Sequence, residues 1–241
     1  MRQGFLRFPP LRGGTTDRFR SAGHGTRIAS MRVLAIGAHF DDVELGCGGT
    51  LAAHAQAGDD VTIFVATHSG YSNYAQKVIR QPEIALEEGR AAARLLGAGE
   101  LICGNLPTND VQLNDALVCQ ILRIIEQKRI EAIYTHWTGD MHNDHRAVGL
   151  ASLTAGRHVP RVLMYRSNFY DTDQVFRGNF YMDISATIET KVQAIKAHES
   201  EYRRVGETWT TFFKNQNGND GLRIGVQYAE VFEVVRYLGN I

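Results

Sequence analysis

Four consecutive residues, His39-Phe40-Asp41-Asp42, set one imidazole beside two adjacent carboxylates. A second polar string, His136-Trp137-Thr138-Gly139-Asp140-Met141-His142-Asn143-Asp144-His145, adds three more imidazoles and further carboxylates. A site drawing on His39, one of Asp41 and Asp42, and one of His142 and His145 would hold two imidazoles and a carboxylate. Those borderline ligands suit zinc and leave positions open for water and substrate. The carboxylate left over is a natural general base, and the histidine left over a natural acid or electrophile. Metal-activated water with a carboxylate base is equipment for hydrolysing an amide or an ester. Each half is weak alone. A chain with nine histidines produces H-x-x-H pairs by chance, and Asp41-Asp42 could simply cap a helix.

The strength lies in where the two halves fall. Val33-Leu34-Ala35-Ile36-Gly37-Ala38 reads as a buried strand ending where the first string begins. Glu131 to His136 reads as another strand leading into the second string. Open α/β sheets build their sites at the carboxyl ends of strands. Further strands are expected over 61–66, 100–103 and 161–165, and helices over 48–57, 80–96, 114–128 and 143–156. Leu117, Ile121, Ile124 and Ile125 share one helical face, Asn114 or Asp115 can cap that helix, and Asn143 or Asp144 can cap the turn that carries His142 and His145. Alternating strands and helices imply βαβ units and a parallel sheet. After Arg166 the pattern weakens. Residues 167–178 read as a loop, 188–202 as a helix, 208–225 as a Gly/Asn-rich surface loop near the site, and 228–237 as a last strand.

Composition limits the alternatives. The chain has 241 residues, enough for one large α/β domain. Its 26 basic and 26 acidic side chains balance, which argues against nucleic acid or a membrane surface as partner. No apolar run approaches the roughly 20 residues needed to span a bilayer. Three cysteines without a C-x-x-C pair fit a reducing, cytoplasmic compartment better than a disulfide framework. Residues 1–30 stand apart, with six arginines, no lysine and one acid. That bias is similar to an organelle transit peptide; a disordered extension or an early start codon ahead of Met31 is the simpler reading.

The string Ala38 to Ala52, with its Asp-Asp pair and Gly46-Cys47-Gly48-Gly49-Thr50, resembles the LmbE-like (PIG-L-type) N-acetylglucosaminyl deacetylase family. The second family motif, H-x-D-H followed by R-A, stands at His142-Asn143-Asp144-His145-Arg146-Ala147. The resemblance runs from about Met31 to the C-terminus, so residues 31–241 form one domain of this type. It implies a Rossmann-like three-layer α/β sandwich with a mainly parallel sheet, and one catalytic Zn2+ per subunit. By motif position the metal ligands would be His39, Asp42 and His145. Asp41 would be the general base. His142 would be the acid or the polariser of the oxyanion, with Asp144 holding its ring. The implied substrate is a small-molecule N-acetyl amino sugar, and a homo-oligomer fits the family.

Two departures stand out. Phe40 replaces the family's usual proline, and could loosen the loop or lay an apolar ring over the metal. Val43 replaces a common acid. The family also leads us to expect an arginine ahead of the helix ending at Leu96, reaching into the sugar site; Arg80 is the nearest candidate. Smaller expectations attach to other residues. Gly46 to Thr50 could receive an anion at a helix N-terminus or serve a tight turn. His68, Tyr71 and Asn73 could line a pocket, and His136 could sit behind the metal ligands. His198 reads as a surface histidine or one that reaches the site, Trp209 as a sugar-stacking ring or a loop anchor, and Cys47 as packing. A related amidase or esterase on a non-sugar or antibiotic-type substrate, and a sugar-binding protein without activity, are the competing functions. A dinucleotide-dependent oxidoreductase is disfavoured because no G-x-G-x-x-G follows the first strand.

Overall fold

The computed structural model describes residues 30–239, so the reading of the N-terminal extension lies outside the described residues. The elements are β1 (Arg32–Gly37), α1 (Asp42–Gln56), β2 (Asp60–Thr67), β3 (Tyr71–Ser72), β4 (Val78–Arg80), α2 (Pro82–Leu96), β5 (Glu100–Leu106), α3 (Asp115–Lys128), β6 (Ala132–His136), α4 (Asn143–Ala155), β7 (Arg161–Tyr165), β8 (Phe180–Asp183), α5 (Ile188–Lys196), α6 (Glu199–Val205), α7 (Glu207–Ile224) and β9 (Ala229–Tyr237). Seven strands form one sheet in the order β5-β2-β1-β6-β7-β9-β8. The first five pair in parallel, whereas β9 runs antiparallel to both β7 and β8. The β3–β4 hairpin, which the sequence did not announce, stands apart from this sheet.

Pleating explains the three layers. Val33 and Ala35 of β1 face a core shared with α1, α2 and α5, while Leu34, Ile36 and Ala38 face a second core shared with α3 and α4. The chain builds outward from β1 to β2 and β5, then returns to lay β6 on the other side of β1. The winding therefore reverses between β1 and β6. That is the switch point at which a crevice opens beyond the carboxyl ends of the strands. Both polar strings emerge there. No helix among the described residues is long and apolar enough to cross a membrane.

Several local expectations need correction. The helix expected from residue 48 begins at Asp42 and breaks at Cys47, whose φ of −144° is not helical. The break is stabilised from a distance. The backbone N–H groups of Gly49 and Thr50 donate to the Glu230 carboxylate at 3.0 and 2.7 Å, and Lys191 Nζ donates to the same carboxylate at 2.6 Å. The glycine-rich stretch thus does receive an anion, and the anion is the protein's own. Gly46 has a further reason to lack a side chain, since a Cβ there would lie 2.0 Å from the Tyr165 ring. The helix expected over 188–202 is two helices, α5 and α6, with His198 at the join.

The loop expected over 208–225 is helix α7. Its glycines and asparagines have poor helix propensity, but tertiary packing overrides propensity. Trp209, Phe213 and Asn217 recur every fourth residue and are buried. Trp209 and Phe213 pack with Leu45 and Ile195, so Trp209 anchors its own helix and does not offer a face to a sugar. Asn217 Nδ2 donates to the Ala229 carbonyl at 3.0 Å.

Candidate active site

The turn after β1 places Asp42 at the bottom of the crevice. Its Oδ2 accepts from the backbone N–H groups of Ala38 and His39, at 3.1 and 2.7 Å. Its Oδ1 accepts from the Ser167 hydroxyl at 2.9 Å. Burial opposes its charge, yet His145 and His136 more than offset that and hold the carboxyl well below the usual range. His136 is fully buried behind it, with Nε2 3.1 Å from Asp42 Oδ2.

His39 and His145 complete a tight group with Asp42. His145 Nε2 lies 3.2 Å from Asp42 Oδ1 and 3.3 Å from His39 Nδ1. His39 Nδ1 lies 3.4 Å from Asp42 Oδ2. One ligand atom from each residue falls within 4.8 Å of the others. Tetrahedral zinc with bonds of about 2.0–2.1 Å separates its ligand atoms by roughly 3.3–3.4 Å, so the donor set fits such an ion. The outward nitrogens fit it too. His39 Nε2 contacts Asp144 Oδ2 at 2.9 Å, and His145 Nδ1 faces Asp140 Oδ2 at 3.3 Å. A carboxylate behind each ring holds the proton on the outer nitrogen, so that loss of the inner proton, which metal binding requires, would turn a lone pair toward the group. Burial disfavours charge on both rings. Asp144 and Asp42 nevertheless lift His39 to about 9, and Asp42 and Asp140 lift His145 to about 10.

His142 behaves differently. Burial, and then the neighbouring His145 and His39, push its pKa down to about 4, so the ring is neutral. It caps α4 itself, in place of Asn143 or Asp144: its Nδ1 accepts from the Asp144 backbone N–H at 3.2 Å. That hydrogen bond assigns the proton to Nε2 and makes the ring a donor. The expected hold of Asp144 on His142 therefore runs through the Asp144 main chain. The Asp144 carboxylate is turned toward His39 and the N–H groups of Asn109 and Val111, at 2.8 and 3.1 Å, because α4 directs it away from the capping ring. His39, His142 and Asp144 form a second candidate ligand group, but these hydrogen bonds already occupy the Asp144 carboxylate.

Asp41 leaves the turn the other way. Its φ of 131° lies in a region that residues with a side chain rarely adopt. The strain lets successive carboxylates diverge, with Asp42 turned inward and Asp41 lining a cavity. Burial and the Asp42 charge raise the Asp41 pKa to about 7, against the pull of Arg80 and His198. Arg80 Nη1 is 3.8 Å from Asp41 Oδ2, and Arg80 lines the same cavity. It ends β4 and is almost wholly buried. It donates to the Phe40 carbonyl at 2.9 Å and to Glu88 Oε2 at 2.8 Å.

His198 is fully buried rather than on the surface. Its Nδ1 is 3.2 Å from Arg80 Nη2, and its Nε2 is 3.4 Å from Glu44 Oε2. Phe40 does not cover the cluster but is buried in the core. Its ring packs against Gly89, where a Cβ would approach to 2.3 Å, and its N–H donates to Ser69 Oγ at 2.8 Å. His68 accepts from Gly70 N–H, and Asn73 shapes the hairpin turn by accepting from Ala75 and Lys77. Tyr71 does line the cavity. Cys47 is buried, and burial pushes its thiol pKa well up, away from nucleophilic use.

Two cavities meet at the imidazoles. One, of about 310 Å³, is lined by His39, Asp41, Tyr71, Arg80, His142, Glu201 and Arg204 among others. The second, of about 340 Å³, is lined by Asn109, Met141, His142, Asn143, Asp144, His145, Asn168 and Tyr170. Sequence reasoning missed Asp140, although it lies two residues before His142. It also missed Ser167, Glu201 and Arg204, which carry no local signal.

Comparison with known proteins identifies relatives of the chain. The family described as PIG-L, GlcNAc-PI de-N-acetylase, matches residues 34–155. "Uncharacterized deacetylase YaiS" of Escherichia coli (strain K12) is 35% identical over 176 residues, covering 70% of this chain and 90% of that one. Diacetylchitobiose deacetylase of Thermococcus kodakarensis is 26% identical, covering 83% and 81%. The solved N,N'-diacetylchitobiose deacetylase of Pyrococcus horikoshii shares the fold, with a TM-score of 0.74 over 86% of this chain and 84% of that one, at 21% identity. The matched segment carries both polar strings and the strands that deliver them, and the chain belongs to the PIG-L (LmbE-like) deacetylase family.

Proposed function

We propose that the protein is a zinc-dependent N-deacetylase that removes the acetyl group from an N-acetylglucosamine-type amino sugar. The observation that carries this is the convergence of His39, Asp42 and His145 within 4.8 Å, with Asp41 diverging into the adjoining cavity. His39, Asp42 and His145 would hold the ion. A bound Zn2+ supplies Lewis acidity, activating water and polarising the amide carbonyl. Asp41 takes the proton from the attacking water and returns it to the leaving nitrogen. His142, neutral and protonated on Nε2, donates to the carbonyl oxygen as negative charge develops there. Asp144 and Asp140 keep the His39 and His145 rings oriented. Arg80 fixes the Phe40 carbonyl, and through it the turn that carries Asp41. Tyr71, Arg80, Glu201 and Arg204 give the first cavity the donors and acceptors that sugar hydroxyls need.

Two of the relatives are diacetylchitobiose deacetylases, which makes the acetamido sugar a better first substrate than a simple ester. On this reading the enzyme is cytoplasmic and acts on a small molecule, without nucleic acid or membrane as partner. The test is acetate release from N-acetylglucosamine and N,N'-diacetylchitobiose. Release should stop after chelation and return with Zn2+. Undiminished turnover by metal-free protein would overturn the zinc chemistry, and turnover of simple acyl esters alone would favour the esterase.

A further inference from the structure

An amide presents two sides to the imidazole cluster: nitrogen with its sugar, and carbon with its acyl group. The cluster likewise has a cavity on each side, and His142 and Asn109 line both. The first is walled by charged and hydroxyl groups suited to a sugar. The second is edged by the imidazoles, Asp144 and the side-chain amides of Asn109, Asn143 and Asn168, and its apolar wall is contributed by the thioether of Met141 and the ring of Tyr170. These side chains are 50% and 61% exposed, so their apolar surface is not consumed by the core. The size is also informative. A methyl group needs about as much room as a water molecule, roughly 30 Å³, whereas this cavity measures about 340 Å³. Acetate leaves most of it unfilled.

We propose that the second cavity is an acyl-chain pocket, and that the enzyme hydrolyses amino-sugar amides whose acyl groups are several carbons longer than acetyl. The proposal rests on the hydrolase reading and extends its substrate class. The step balances as ordinary amide hydrolysis. The water oxygen bonds to the acyl carbon and the C–N bond breaks. The nitrogen gains a proton and leaves as the amine, and the acid leaves as its carboxylate. The chain lies against Met141 and Tyr170 throughout.

Two measurements on the zinc-loaded protein test this. Calorimetric binding of acetate, butyrate and hexanoate should tighten about two- to fourfold per methylene, as burial of each CH2 predicts. Hydrolysis of N-acetyl-, N-butyryl- and N-hexanoyl-glucosamine should show kcat/KM rising along the series. Met141→Trp, at a half-exposed position that tolerates a larger ring, should lower the hexanoyl-to-acetyl ratio by at least about tenfold. Binding that is flat or weaker with chain length overturns the pocket. So does a Met141→Trp variant that loses N,N'-diacetylchitobiose turnover and keeps the acyl preference, since the cavity would then hold a second sugar. Chain-length-dependent binding without hydrolysis of any of these amides would leave the pocket standing and overturn the deacetylase reading. Acetyl hydrolysis without chain-length dependence would do the reverse.

Discussion

Helix α1 carries two buried polar clusters, one at each of its starts. At the Cys47 break, Lys191 and Glu230 form a pair in which each is only 1% exposed. The carboxylate also accepts two backbone N–H groups, so one cation meets one anion and the donors are used. At the Asp42 start, four imidazoles crowd together, with His136 stacked on His145 at 4.1 Å. His39 and His142 ring centroids are 4.8 Å apart, and His142 and His145 are 4.6 Å apart. Their pKa values are driven in opposite directions, His39 and His145 upward and His142 downward. The first cluster is complete and holds the fold. The second gathers three possible metal-ligand atoms within 4.8 Å of one another, an arrangement suited to a cation.

Substitutions should separate the two. Asp41→Asn is expected to lower kcat by about 10² to 10⁴-fold, the usual worth of a general base. Its melting temperature should not fall, because the change removes a buried charge that the neighbouring Asp42 opposes. A variant with wild-type turnover would break the contrast by showing that Asp41 has no part in the chemistry. Glu230→Ala should act in the opposite manner. It strands Lys191 in the interior and should cost ~3–5 kcal/mol in urea unfolding, with refolded protein still binding Zn2+.

Zinc itself should sharpen the comparison. At a hundredfold excess over Kd it should add about 2.7 kcal/mol of stability, or about 5–11 °C in Tm for a chain of this size. His145→Ala should abolish that increment while Lys191→Met keeps it. The smallest effect is at Glu88. Burial opposes its charge, but Ser200 and Arg80 hold its pKa below the ordinary 4.5. Its contribution is therefore present above that pH and is lost as the pH falls through the lowered value. The gap in Tm between wild type and Glu88→Gln should narrow on acidification from pH 7, whereas a widening gap would mean the carboxylate is not the stabilising form.

Much of the architecture was legible because its causes are local. The strand periods of 32–38 and 161–165 and the apolar stripe of α3 repeat within a few residues, and Asn114 does cap α3, accepting from Leu117 N–H at 3.0 Å. The chemistry-bearing strings were legible because their members are adjacent. His39, Asp41 and Asp42 occupy one turn, and His142, Asp144 and His145 one helix start. What escaped is distant. His198 meets Arg80 across 118 positions, and Glu230 reaches Gly49 across 181. Helix α7 forms from residues of poor propensity because Trp209 and Phe213 find Leu45 and Ile195.

From its residues alone, then, the chain determined which strand ends bear imidazoles and carboxylates, since short-range spacing sets strand, helix and turn. Tertiary structure decided which oxygen faces which ring: Asp144 toward His39, Asp140 toward His145, Phe40 away into the core against Gly89. Those choices depend on partners that meet only when β1 and β6 lie side by side. Local propensity carries no information about a contact formed a hundred residues away.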